Sequence, residues 1–124
     1  MELVMIDISD AYMHLAVKEE EKGHCLAPAL DDDHWLLFVA LLFGFKTAPL
    51  TWSRVAAMVA RLVQSIIPPE YGMHQVYLDD SLWALCGRLP VRNKMLACIL
   101  TTMAALGLKL SLAKGARAAS VTWV

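Results

Sequence analysis

Two apolar, β-prone arms, residues 75–78 and 81–85, stand on either side of an adjacent aspartate pair, Asp79 and Asp80. Runs of this length joined so tightly predict an antiparallel hairpin that turns at the acidic pair. A lone hairpin is not stable in water and needs further strands and an apolar cover. Residues 3–8 supply a short apolar run carrying Asp7, and residues 11–17, with Tyr12, His14 and Leu15 interleaved, continue the extended character. Together these predict a buried strand with a polar tip. Pro49 suits the first turn of a helix, and Leu50, Val55, Val59, Leu62, Val63 and Ile66 recur at helical spacing until Pro68 and Pro69 end it. A second helix is predicted over residues 90–106, closed by Gly107. Charged turns at residues 18–22 and 31–34 frame a loop and small hairpin, residues 23–30 returning through 35–41. Residues 121–124 open one more strand. No repeat or low-complexity tract interrupts this order, so the expected fold class is α+β, an antiparallel sheet with helices packed on one face.

At 124 residues the chain fits one domain, 1–124. Its 58% hydrophobic content and mean hydropathy of +0.51 exceed those of an average soluble domain. Some apolar surface is therefore expected to belong against segments outside this sequence. The longest apolar run, residues 35–45, is too short for a membrane-spanning helix, and the N-terminus lacks the pattern of a secretory signal. An intracellular setting, cytoplasm or nucleus, is expected. Cys25, Cys86 and Cys98 lack the spacing of a zinc site or disulfide framework and read as buried packing thiols in a reducing compartment. His14, His24, His34 and His74 are likewise scattered without ligand spacing. A net charge of −1 and a pI near 6.4 give no electrostatic footprint for nucleic acid, so other segments would supply most phosphate contacts.

Two full charges at a hairpin tip need a reason, because adjacent carboxylates repel and a third from the Asp7 strand adds to the cost. Divalent cations with oxygen ligands, Mg²⁺ or Mn²⁺, would relieve it. The reaction that most often needs such a cluster is phosphoryl or nucleotidyl transfer with two ions. Taken alone, the pair reads more simply as an exposed turn, with Asp7 a strand-end residue.

Five blocks in order change that balance. Ile6-Asp7-Ile8-Ser9-Asp10-Ala11-Tyr12 resembles the first palm motif of reverse transcriptases. Leu42-Phe43-Gly44-Phe45-Lys46-Thr47-Ala48-Pro49 is similar to the second, and Tyr77-Leu78-Asp79-Asp80 to the third. Leu106-Gly107-Leu108-Lys109 followed by Lys114 resembles the fourth, and Val121-Thr122-Trp123-Val124 the opening of the fifth. The blocks span nearly the whole chain, and their joint order is more specific than any one of them.

The resemblance implies an RNA-directed DNA polymerase palm with part of the fingers, working on a primed RNA or DNA template with deoxynucleoside triphosphates. Asp7, Asp79 and Asp80 would hold two ions, with the Ile8 carbonyl a further ligand. Asp10 and Ala11 would offer backbone N–H groups to the triphosphate, and Tyr12 would pack under the sugar and exclude a 2′-hydroxyl. Phe43 and Gly44 would flank the nucleotide, Gly44 through close backbone approach. Tyr77 and Leu78 would lie near the primer end, and Lys114 would neutralise, or protonate, the departing pyrophosphate. Arg54 and Arg61 on the first helix face water in preference to template phosphates. The second block resembles elements with long terminal repeats or their tyrosine-recombinase relatives, although Leu42 stands where such sequences commonly have proline. Relative to the family the chain is expected to be a fragment, lacking the basic fingers segment, the thumb, the connection and any RNase H domain. The alternatives are an RNA-dependent RNA polymerase palm, which fits the motif spacing less well, and a non-catalytic remnant or interaction module, which the intact aspartate triad and Tyr12 oppose.

Overall fold

The computed structural model describes residues 1–31 and 33–122. Six strands and two long helices follow in the order β1 (Glu2–Ile8), β2 (Leu26–Pro28), β3 (Trp35–Leu37), α1 (Ala48–Ser65), β4 (Gly72–Tyr77), β5 (Asp80–Leu85), α2 (Leu89–Ala105) and β6 (Leu110–Ala118). Four of them form an antiparallel sheet in the order β4-β5-β1-β6, and β2 and β3 form a separate two-stranded hairpin. The α+β class expected from the sequence is present, with both helices on one face.

Alternation along the strands explains the layering. Val4, Ile6 and Ile8 on β1 and Ser81, Trp83 and Leu85 on β5 are buried on the same side, where they meet Trp52, Ala56, Val59 and Val63 of α1 and Ile99 and Met103 of α2. The residues between them, including Met5 on β1, Leu82 on β5 and Met73 and Tyr77 on β4, lie on the other face, which no helix among the described residues covers. Leu50, Leu62 and Ile66, counted in the helical repeat of α1, are exposed, so its buried stripe is narrower than the sequence pattern. Gly72 opens β4 where a Cβ would stand 2.9 Å from the Ile67 side chain, so the chain can leave α1 tightly only with glycine there.

Two stretches depart from expectation. Residues 11–17 do not extend β1: Asp10 takes a left-handed φ of 54°, and Ala11–His14 coil into a 3-10 turn, with Met13 N–H donating to the Asp10 carbonyl at 2.8 Å. Aspartate tolerates this conformation better than most residues, which ends the strand at Ile8. The last strand is β6, and it lies earlier than residues 121–124: Val121 and Thr122 are outside any strand, and Trp123 and Val124 lie outside the described residues. The charged residues 18–22 also lead into a 3-10 helix, Glu19–His24, before the small hairpin. Among the described residues no helix is long and apolar enough to cross a membrane.

Candidate functional site

Strand register brings the first and third sequence blocks together. Tyr77 pairs with Asp80, and Asp80 pairs in turn with Asp7, so Tyr77, Asp80 and Asp7 form one row across three strands at the end of the uncovered face. The turn between β4 and β5 is therefore Leu78-Asp79, and Asp80 is the first residue of β5 instead of sharing the tip. Leu78 has a φ of 53°, the left-handed value that tight hairpins require at their first central position. Leucine pays about 1–2 kcal/mol for it. Trp52 offsets that cost from α1, donating its indole N–H to the Leu78 carbonyl at 3.0 Å while the Leu78 side chain packs on the core. On the other side of the turn, Ile8 N–H donates to the Asp79 carbonyl at 3.2 Å. The acidic turn is thus pinned to both a helix and β1.

Like charges directly opposed across strands are unfavourable. The Asp80 carboxyl is pushed above its ordinary range, first by burial, then by the charges of Asp79 and Asp7, with Lys114 pulling the other way. Asp7 is only 8% exposed. Its Oδ2 is buried and makes no hydrogen bond, although the Lys114 ammonium lies 3.4 Å away. Among the described residues no three His, Cys, Asp or Glu side chains gather into a ready-made metal-binding group. The donor set nonetheless fits a hard cation: an orphaned buried carboxylate oxygen, an opposed carboxylate of raised pKa, and a third on the adjoining turn.

The 3-10 turn after β1 forms the side of the site. Tyr12 is nearly buried there, meeting Phe43 edge-on at 4.6 Å between ring centroids and Trp52 at 6.4 Å. Phe43 is 71% exposed, so it is a surface flap over Tyr12 and not a core residue. Gly44 has a φ of 95° with nothing within 4 Å of where a Cβ would stand. Its backbone conformation by itself calls for glycine at this position. Ala11 is buried, and the exposed Asp10 carboxylate is held below its usual range by a hydrogen bond from Lys109 at 2.9 Å.

The fourth block delivers its lysines through β6. Lys109 precedes the strand, accepting a backbone hydrogen bond from Ser9 N–H at 2.8 Å. Then the pairing with β1 breaks: the step from Met5 to Asp7 on β1 spans Ala116 to Ser111 on β6. The extra residues form a bulge that carries Lys114. Gly115 follows, where a Cβ would lie 3.2 Å from the carbonyl oxygens of both Leu112 and Met5, so the bulge is pressed against β1. Sequence reasoning named Lys114 but gave Lys109 and Trp52 no role. Lys109 belongs to the fourth block, whereas the Trp52 bond across 26 positions has no local signal.

Cys25, Cys86 and Cys98 are free thiols; Cys25 is buried, and the other two only partly so. Arg54 and Arg61 are exposed. His34 pairs with Asp31, and His14 bonds the Ser9 carbonyl. A cleft of about 680 Å³ lies between residues 15–25 and the start of α1, lined in part by Cys25, Leu41, Phe45 and Lys46. It contains none of the three aspartates. Charge and register, not cavity size, single out the carboxylate row. No family model and no curated protein matches the chain.

Proposed function

We propose that this chain is the catalytic palm of an RNA-directed DNA polymerase, adding deoxynucleotides to a primer 3′ end. The observation that carries this reading is the row of Asp7 and Asp80 on adjacent strands, with Asp79 on the pinned turn beside them, at the edge of a sheet face that no helix covers. A structural acidic turn would gain nothing from a buried, unbonded oxygen on Asp7.

Asp7, Asp79 and Asp80, with the Ile8 carbonyl, would hold Mg²⁺ or Mn²⁺, which when bound would supply activation of the primer hydroxyl and neutralisation of the phosphate charge. The chain's own residues do the positioning. Tyr77, exposed in the same row, offers an aromatic edge toward the primer end on the open face. Tyr12, backed by Trp52 and edged by Phe43, would present a wall to a sugar 2′-hydroxyl. Gly44 lets the second block turn over Tyr12, and the backbone N–H groups of Asp10 and Ala11, at a left-handed turn, suit an anion such as a triphosphate. Lys114 lies where it would meet a developing negative charge beside Asp7. A primed template, deoxynucleoside triphosphates and fingers and thumb segments complete this reading, and its setting is intracellular.

The test is Mg²⁺- or Mn²⁺-dependent primer extension on poly-rA, comparing the chain with the same palm fused to matching fingers and thumb. Extension by the fusion that disappears in Asp79→Asn, with the fold retained, is expected. Undiminished synthesis by Asp79→Asn refutes the assignment, and no synthesis by a folded fusion favours a non-catalytic relative.

A further inference from the structure

Asp7 is the most buried acidic side chain of the site, and a carboxylate in that position without a hydrogen bond is costly. One cation lies near its Oδ2, the Lys114 ammonium at 3.4 Å. Lys109, the other lysine brought by this segment, is committed to Asp10 at 2.9 Å. Lys114 reaches Asp7 because it rides on the β6 bulge, and Gly115 lets that bulge lie against the β1 backbone. The lysine side chain is 72% exposed along its length, so it can swing into water at little cost. A divalent ion and an ammonium cannot share the same carboxylate oxygen at full strength, because each repels the other.

We propose that Lys114 is a tethered counter-ion of the carboxylate row: it steadies Asp7 before a divalent ion binds and competes with that ion for Asp7. This rests on the reading of the row as a divalent-cation site. It adds that the Asp7 charge is balanced at rest, and that apparent ion affinity is lowered by the fraction of time the lysine spends on Asp7.

Isothermal titration of the full chain with Mn²⁺ tests it, using the parent, Lys114→Gln, Lys114→Arg and Asp79→Asn, each checked for fold by circular dichroism. Lys114→Gln is expected to bind Mn²⁺ roughly three- to tenfold more tightly than the parent, the range that a partly exposed ion pair can withhold. Lys114→Arg, which keeps the charge, is expected to bind no more tightly than the parent. Equal or weaker binding by Lys114→Gln, with binding still lost in Asp79→Asn, overturns the competition and leaves the carboxylate site standing. Absence of binding by both the parent and Lys114→Gln overturns the competition and the cation site together.

Discussion

His74 on β4 lies in a small polar knot beneath the helices, and its protonation is expected to weaken the fold. The ring stacks on Trp83 with centroids 4.2 Å apart and planes 7° from parallel, and its Nε2 is 2.6 Å from the Ser81 hydroxyl. Trp83 donates its indole N–H to the same hydroxyl oxygen at 3.0 Å. The hydroxyl proton is then free to go to Nε2, which fixes a neutral ring with Nε2 as acceptor. Protonating Nε2 forces the hydroxyl proton away with nowhere buried to go, since Ser81 is 1% exposed. Burial accordingly lowers the His74 pKa from 6.5 to about 4, against a smaller opposing hydrogen bond to the Ala60 backbone. Because the folded value lies below the unfolded one, the unfolded chain binds more protons between about pH 4 and 6.5. This contribution is therefore complete above pH 6.5, declines as pH falls toward about 4, and changes no further below that. At about 1.36 kcal/mol per pKa unit the full loss is roughly 3 kcal/mol. The ring is only half-buried, and water screening halves this to about 1.5 kcal/mol, of which about 1 kcal/mol is reached by pH 5. That corresponds to about 4 °C in Tm for a domain of this size. Denaturant melts of the parent and His74→Gln at pH 7.5 and 5.0 are the assay, the difference in pH response isolating the imidazole from the carboxylates. An identical pH response in the two proteins, or an imidazole that titrates near 6.5 by NMR, would refute the reasoning.

Other perturbations probe the support of the site and the core. Trp52→Phe removes the indole donor to the Leu78 carbonyl and is expected to cost about 1–2 kcal/mol in chemical denaturation, with faster amide exchange at Asp79 and Asp80 than at the far end of β5. Ile99→Ala opens a cavity under fully buried α2 packing and is expected to cost about 2–5 kcal/mol, leaving Mn²⁺ titration of the surviving folded protein unchanged.

The elements that are legible in the sequence are those whose signals are local. Pro49 opens α1 and Pro68-Pro69 close it, Gly107 ends α2 at a φ of 78°, and the arms around the aspartates pair as a hairpin. The strand β6 was not legible, because Leu110–Ala118 is rich in alanine with a glycine and has little intrinsic β preference. Pairing with β1 imposes extension on it, and such an influence from more than a hundred residues away has no local imprint. For the same reason the aspartates were visible as types in a pattern, while the contacts of Lys114 with Asp7 and Lys109 with Asp10 were not. Asp10 misled in the opposite direction: its neighbours are apolar enough to continue a strand, yet its own left-handed turn sends Tyr12 sideways into the aromatic cluster.

The two outer strands of the sheet are each blunted in a different way. On β4, the Gln64 side-chain amide from α1 donates to the Gly72 carbonyl at 3.0 Å and accepts from His74 N–H at 2.8 Å, taking the place of a neighbouring strand. On β6, the bulge and its lysine break the regular spacing that an incoming strand would need. Two of the outward backbone groups of β4 are therefore already taken and β6 offers a broken edge, which hinders growth of the sheet strand by strand.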